Sequence, residues 1–258
     1  MKRSSALKVQ GRVIFAIIMR EIKIRYGRQR LGYLWAVIEP LVYIVSILII
    51  FDVMGRKIRS GLPLAPFVVS AVVPFLTFRN TAQRVMMSSH NNRAILAYPQ
   101  IKVMDIIIGR TLLEIANSFC VLMIFIAGMT LTGLSPWPSN ILGVVMSVFL
   151  AAFLGMSLGS VLNTIGQYTT SIEKIFPPIL RVMVLFSGLF YTAAELPGVI
   201  RDILLMNPIF HVIEYSRESY FENLRVFADI PFIFYCGVPL LFIGFITEKT
   251  ASRQATLE

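Results

Sequence analysis

Charge is what this sequence has least of. Only 15% of its 258 residues are Asp, Glu, Lys or Arg, against roughly a quarter in a soluble domain. Hydrophobic residues make up 56% and mean hydropathy is +0.74. A chain of this length builds one or two ordinary domains, too little core to absorb that excess, so the composition points to lipid. Cysteine and histidine are nearly missing too. Cys120 and Cys236 both fall inside apolar runs and read as small hydrophobes, so neither a disulfide framework nor a thiolate metal site follows. His90 and His211 lie far apart in sequence without an H-E-x-x-H motif. They read as loop residues, which excludes a zinc site or histidine-based catalysis as an expectation. No G-x-x-x-x-G-K-[ST] occurs, so the chain has no P-loop for ATP, and no Asp-x-Asp supports a metal-dependent glycosyltransferase. No catalytic residue, metal or resident cofactor is expected.

What the chain does have is basic charge in one place. Its formal net charge is +10, and nine of its 24 Lys/Arg (Lys2, Arg3, Lys8, Arg12, Arg20, Lys23, Arg25, Arg28 and Arg30) precede residue 31. Crowding at one end marks a cytoplasmic membrane anchor and not a nucleic-acid surface. Residues 5–31 are modestly amphipathic: Phe15, Ile18, Met19, Ile22 and Tyr26 share one helical face, with Arg12, Lys23 and Arg30 on another. Such a helix lies in the interface plane, either as a plain anchor or as an interface helix that also touches a cytoplasmic partner. The stretch Arg25–Leu41 then carries Tyr33 and Trp35, rings that favour the water–lipid boundary, into an apolar run from Leu41. That run is too long for the core of a cleavable signal, so the first span is expected to stay in the protein.

Six spans are predicted, at about 33–54, 64–86, 105–131, 139–165, 172–193 and 229–247. The fold class is therefore an all-α polytopic membrane protein. An even count puts both termini on one side, and the basic arm, supported by Lys249 and Arg253 in the tail at 248–258, makes that side cytoplasmic. The loop holding Arg56, Lys57 and Arg59 then faces outward, where it either holds lipid headgroups or meets an acidic substrate. In the second span Thr77, Asn80, Thr81, Arg84 and Ser88 form one helical stripe, which must face protein or a wet cavity, with Arg79 expected on the opposite side. Arg79 and Arg84 either snorkel or pair near the cytoplasmic end, or line a route for an anionic, sugar-rich substrate.

The loop at 88–98 has a polar opening, an apolar patch and a stopping proline, with Asn91 or Asn92 able to cap a short helix. It is either a connector or a docking element for another protein. In the third span Arg110 and Glu114, at i, i+4, are expected to pair. Ala151, Gly155 and Gly159 make a small-residue ladder for close helix packing. Between the fifth and sixth spans, residues 194–223 are too polar to cross. They read as two short re-entrant or interfacial helices split at Asn207-Pro208.

The stretch R-Y-G-R-Q-R-L-G-Y-L-W-A-V-I-E-P-L at 25–41 resembles the N-terminal signature of permease subunits of type-2 ABC exporters. Three further segments agree in order: N-R-A-I-L-A-Y-P-Q-I-K-V-M-D at 92–105, F-S-G-L-F-Y-T-A-A-E-L-P at 186–197, and N-P-I-F-H-V-I-E-Y-S-R-E at 207–218. With I-I-G-R-T-L-L-E at 107–114 and no appended domain, the chain looks most like the capsular polysaccharide exporter branch of Gram-negative bacteria. The resemblance implies a multi-pass protein of the bacterial inner membrane. Two copies would pair with two separate ABC ATPase subunits, which bind ATP and Mg, and export a lipid-linked, acidic polysaccharide. A periplasmic co-polymerase and an outer-membrane export channel would be further partners, and membrane lipids would surround the permease; nucleic acid would not be one. It implies that residues 1–32 form the interface helix and 88–98 the coupling helix. Asn91, Asn92, Arg93, Leu96, Tyr98, Arg20 and Lys23 would then meet the ATPase, and 194–223 would be periplasmic. Arg25, Arg28, Arg30, Arg84, Arg56, Lys57 and Arg59 are candidates for substrate or lipid phosphate, and Phe75, Phe78, Phe190 and Tyr191 for the channel wall.

Two other readings stand beside this one. A type-2 ABC exporter could carry another cargo, such as an O-antigen, a teichoic acid, a lipid or a drug. A membrane-embedded lipid-modifying enzyme would need a convergent acid/base pair, for which Arg110–Glu114 or Glu195–His211 is the best the sequence offers.

Overall fold

A computed structural model describes residues 3–27, 32–53, 55, 62–98, 100–169, 171–222, 224 and 226–254. Among them the secondary structure is all helical. The order is α1 (Arg3–Tyr26), α2 (Gly32–Val53), α3 (Leu64–Met86), α4 (Arg93–Leu96), α5 (Val103–Leu131), α6 (Ile141–Tyr168), α7 (Ser171–Val182), α8 (Gly198–Leu204), α9 (Pro208–Tyr220) and α10 (Ile230–Gln254). Short 3-10 turns occupy His90–Asn92, Met183–Phe186 and Ala193–Glu195. Among the described residues, four segments are long and apolar enough to cross a membrane: α3, α5, α6 and Ile230–Lys249 of α10. The 23 residues of α3 rise about 34 Å, which matches a hydrocarbon core of about 30 Å. The 22 residues of α2 carry the apolar run from Leu41.

α3 is the axis of the molecule. Its buried face runs from Pro66 to Phe78 almost without a break, and α6 forms the most extensive pairing with it. That closeness depends on the small-residue ladder: a Cβ added at Gly155 would lie 2.6 Å from the Phe78 carbonyl oxygen, and one at Gly159 would lie 2.7 Å from Val85 Cβ. With no Cβ at these positions the two backbones approach closely, as membrane helix pairs do. α10 closes on the other side of α6, where Gly244 meets Ser160. Helix starts are set locally. Asn140 accepts from Gly143 N–H at 3.0 Å ahead of α6, and Asp105 accepts from Lys102 N–H at 3.0 Å to open α5.

One predicted span is corrected here. Residues 172–193 are not one continuous helix: α7 ends at Val182, a 3-10 turn follows, and Gly188 adopts φ +81°. Pro177 and Pro178 lie inside α7 and supply no backbone N–H, so a full-length hydrogen-bonded rod cannot form there. The predicted span 229–247 falls on the apolar stretch Ile230–Lys249 of the C-terminal helix, and the helix itself runs on to Gln254. α1 buries Ile17 and Glu21 against the protein, and Phe15 and Met19, read as part of the apolar face of an interfacial helix, are exposed.

α9 differs most from its sequence pattern. It is too polar to look like core, yet it is buried on nearly every side against α6 and α3. Asn207 accepts from Ile209 N–H at 3.3 Å and Pro208 occupies the first turn, which starts the helix where the break was expected. Arg217, 0% exposed, donates to the carbonyls of Tyr191 at 2.7 Å and Leu189 at 2.9 Å, lies 3.8 Å from the Phe67 ring centroid, and pairs with Glu214 at 3.6 Å. Glu214 in turn accepts from the N–H groups of Ala193 and Phe227. Burial pushes the Glu214 carboxyl up and the Arg217 guanidinium down to about 10, and their mutual attraction opposes both shifts.

Candidate functional site

At the end of the bundle that carries α1, two helices with complementary charges face each other. α1 presents Glu21 and Arg25; α5 presents Arg110 and Glu114. Gly109 lets α1 approach, since a Cβ there would sit 3.1 Å from Ile17 Cγ2. Arg25 Nη1 donates to Glu114 Oε1 at 2.5 Å, and Arg110 Nε lies 3.4 Å from Glu21 Oε1. Arg25 Nε is 3.6 Å from Glu21 and Arg84 Nε of α3 is 3.6 Å from Glu114, so five charged side chains form one chain of contacts across three helices. Arg110 also donates to the Arg84 carbonyl at 2.6 Å. Arg110 and Glu114 were expected to pair with each other along α5; each finds its ion pair on another helix.

The same helix end is tied to the 88–98 segment. Arg20 donates to Asn92 Oδ1 at 2.7 Å, Asn92 Nδ2 donates to the Ser88 carbonyl at 2.9 Å, and Gln10 donates to Asp105 at 3.1 Å. Asn92 stands at the N-cap position of α4, yet its side chain makes no cap bond and serves these ties instead. Asn91, Arg93 and Tyr98 are exposed, whereas Leu96 packs on Val85, Val103 and Ile107. The segment therefore has an inner side joined to α1, α3 and α5 and an outer side on which Asn91, Arg93 and Tyr98 are exposed. Lys23 is exposed beside it.

A cavity of about 270 Å³ opens next to the charge chain, between α2, α3 and α5. Its polar wall is Arg25, Arg79, Arg84, Glu39, Glu114, Asn80, Asn117 and Ser118; its apolar wall is Val42, Val73, Leu76 and Val121. Three guanidinium groups against two carboxylates leave the lining with one net positive charge. Thr77 of the polar stripe bonds to Ser118 Oγ at 2.8 Å, while Thr81 turns to α6 beside Gly155, so the stripe divides between the cavity side and the α6 contact. Arg79 is not on the opposite side from Arg84. It lines the same cavity, its guanidinium 6.0 Å from the Tyr43 ring centroid. Arg79 lies seven residues before the end of α3, about 10 Å along the axis, a depth at which a cation needs a polar or wet surrounding.

The other candidates lie elsewhere. Phe75 and Phe78 are core residues at 0% and 4% exposure. Phe190 stacks on Phe51 at 6.0 Å between ring centroids, and Tyr191 donates from its hydroxyl to the Leu185 carbonyl at 2.6 Å. Neither ring lines the α2–α3–α5 cavity. Arg28, Arg30, Arg56, Lys57 and Arg59 lie outside the described residues. Sequence reasoning passed over Glu39, Tyr43 and Ser46, all of which line the cavity. They recur at i, i+4 and i+7 in the otherwise apolar α2, a helical stripe that carries the signal.

A cavity with one net positive charge in its lining and an apolar wall suits an amphiphile with an anionic head. Residues 12–221 match the family model described as "ABC-2 type transporter". The chain is 30% identical to the capsule polysaccharide export inner-membrane protein BexB of Haemophilus influenzae, over 96% of this chain and 94% of that relative. It is 30% identical, with the same coverage, to the capsule polysaccharide export inner-membrane protein CtrC of Neisseria meningitidis serogroup B. The polysialic acid transport protein KpsM of Escherichia coli is 26% identical over 95% of this chain and 96% of that relative. The chain belongs to the ABC-2 type transporter family.

Proposed function

We propose that this protein is the permease subunit of an ATP-driven exporter that moves a lipid-linked, acidic capsular polysaccharide across the bacterial inner membrane. The observation that carries this reading is the near-full-length likeness to BexB and CtrC, joined to a cavity whose lining fits a phosphate-bearing lipid head. In this reading the chain is not itself an enzyme. Two copies form the pathway, and two separate ATPase subunits hold ATP and Mg. A periplasmic co-polymerase and an outer-membrane channel take the glycan onward. Both termini face the cytoplasm, so α1 and the 88–98 segment dock on the ATPase and α8 lies on the periplasmic side. α2 and the α7 region supply the remaining crossings of a six-span arrangement. The outer side of α4, with Arg93 and Tyr98 exposed, is the contact that receives the ATPase stroke.

Deletion of the gene in its own host, followed by complementation, tests the proposal. Surface capsule disappears and polymer accumulates inside the cell, and a separate P-loop ATPase co-purifies with the restored protein. Arg93→Glu and Tyr98→Asp abolish export while the protein still reaches the membrane, because substitutions at exposed sites change folding stability by no more than about 0.5 kcal/mol. Unchanged capsule with altered drug tolerance on deletion refutes the cargo. Full export in both variants refutes the coupling role.

A further inference from the structure

We propose that Glu114 is a displaceable counter-ion, built into the cavity, whose release by a phosphodiester head tells α1 that cargo has arrived. The inference rests on the export reading above and names what the site responds to.

Glu114 occupies an unusual place. It lines the cavity, it takes the Arg25 hydrogen bond from α1 at 2.5 Å, and it lies 3.6 Å from Arg84 of α3. A carboxylate and a phosphodiester present the same charge and similar paired oxygens to a guanidinium. Glu114 therefore fills, from within the protein, the role of an anionic head. Arg84 is the accessible partner: its side chain is 47% exposed, against 6% for Glu114. An entering phosphate meets Arg84 first, beside the apolar wall that accepts its alkyl chain.

The charge count decides what happens next. Among the described residues this chain of contacts sets three guanidinium groups, Arg25, Arg84 and Arg110, against the two carboxylates Glu21 and Glu114, one positive charge in excess within the chain of contacts. One monoanion neutralises it. Yet two anions cannot both sit on Arg84 without repelling each other at close range in a poorly solvated site. A phosphate on Arg84 therefore pushes Glu114 away and weakens its bond to Arg25. That bond and the Glu21–Arg110 pair are polar ties that hold the C-terminal half of α1 to α5. Because Arg20 on the same helix grips Asn92, a shift of α1 also reaches the 88–98 segment. Occupancy of the cavity is thus conveyed to both elements that the export reading places against the ATPase.

The test uses full-length protein in phosphatidylcholine nanodiscs and dodecyl methyl phosphate, a single-chain phosphodiester, with dimethyl phosphate and dodecyl maltoside as the chain-free and uncharged comparisons. Dodecyl methyl phosphate binds the wild type. Glu114→Gln binds it about tenfold more tightly because the internal competitor is gone, and Arg84→Gln binds it at least about tenfold more weakly for loss of the first cation. A second measurement needs no change to the charge chain. With Cys120 and Cys236 replaced by serine, spin labels at Val9 and Leu112, both exposed, report the separation of α1 and α5. Dodecyl methyl phosphate shifts that distance, whereas dimethyl phosphate and dodecyl maltoside leave it unchanged. Binding that depends on Arg84, with unaltered affinity in Glu114→Gln and no change in the label distance, overturns the counter-ion role and leaves the export reading standing. An equal response to dimethyl phosphate overturns the lipid-borne source. No binding by any form overturns both this inference and the reading of the cavity as a phosphate-head site.

Discussion

Replacing Glu21 by Gln tests whether the charge chain holds α1 to the bundle. The carboxylate lies 3.4 Å from Arg110 Nε and 3.6 Å from Arg25 Nε, and its side chain is 8% exposed. Breaking a buried pair by removing one partner costs about 3–5 kcal/mol, since the other charge stays behind in a poor solvent. Arg110 is not left bare, because it keeps the Arg84 carbonyl at 2.6 Å and Ser88 Oγ at 3.5 Å. Each retained bond to a charged group offsets part of the loss, which brings the expected cost to about 2 kcal/mol. For a chain of this size that is a drop in Tm of about 4–8 °C, read by thermal unfolding of the purified protein in neutral detergent. The paired variant Glu21→Gln/Arg110→Met separates this cause from general damage. Removing both charges and keeping the stem's volume takes away the orphaned cation, so the double variant is more stable than the sum of the two single changes by at least about 1 kcal/mol. Strict additivity, or a Glu21→Gln protein that melts like the wild type, refutes the view that α1 is held by these ion pairs.

Two further outcomes follow from the packing. Gly155→Val forces side-chain atoms into the Phe78 carbonyl and Thr81, costing about 1–3 kcal/mol of stability. Gly128→Ala, with open space around its Cβ position, melts like the wild type, and equal Tm values for Gly155→Val and wild type contradict the close α3–α6 approach. Arg217→Met strands the buried Glu214 and frees two carbonyls, lowering stability by about 3 kcal/mol or more. Adding Glu214→Gln recovers part of that Tm, and no recovery means the carboxylate is not the source of the loss.

The long apolar helices were legible because bilayer thickness imposes a characteristic length on an apolar run meant to cross it. The predicted 64–86 coincides with α3, and 105–131 misses the start of α5 by two residues. Where the reading failed, local chemistry broke a run whose average hydropathy stayed high. Residues 172–193 divide after Val182 into a short helix that contains Pro177 and Pro178, a 3-10 turn and a positive-φ corner at Gly188, and an average over that window does not register such local features. α9 failed for the opposite reason. Arg217, Glu214 and His211 gave it the composition of a surface helix. All three are buried because backbone carbonyls and N–H groups from distant turns satisfy them, as when His211 Nε2 meets the Leu205 carbonyl at 2.7 Å. Which turns would arrive there is a property of the closed fold, and no spacing within 208–220 encodes it.

The candidate site shows the same boundary more sharply. Sequence spacing singled out Arg110 and Glu114 as charges to be paired within the bundle, left Arg84 either snorkelling, pairing or lining a route, and read Arg25 as an anchor or a lipid-phosphate candidate. It then paired Arg110 with Glu114, because i, i+4 neighbours on one helix are the contact that a single sequence can display. The facing segment of α1 reads Glu21-x-x-x-Arg25, and that of α5 reads Arg110-x-x-x-Glu114. Set side by side in the same order, these two motifs offer each arginine a carboxylate on the other helix. Crossing the pairs has a consequence that pairing within each helix lacks. An i, i+4 bond stabilises one helix by a few tenths of a kcal/mol and says nothing about its neighbour, whereas Glu21–Arg110 and Arg25–Glu114 tie α1 to α5, the second of them through a residue of the cavity lining. A chain whose arginines were satisfied within their own helices could bind an anionic head and leave α1 unaffected. On the counter-ion proposal it could not, because Glu114 both lines the cavity and accepts from Arg25.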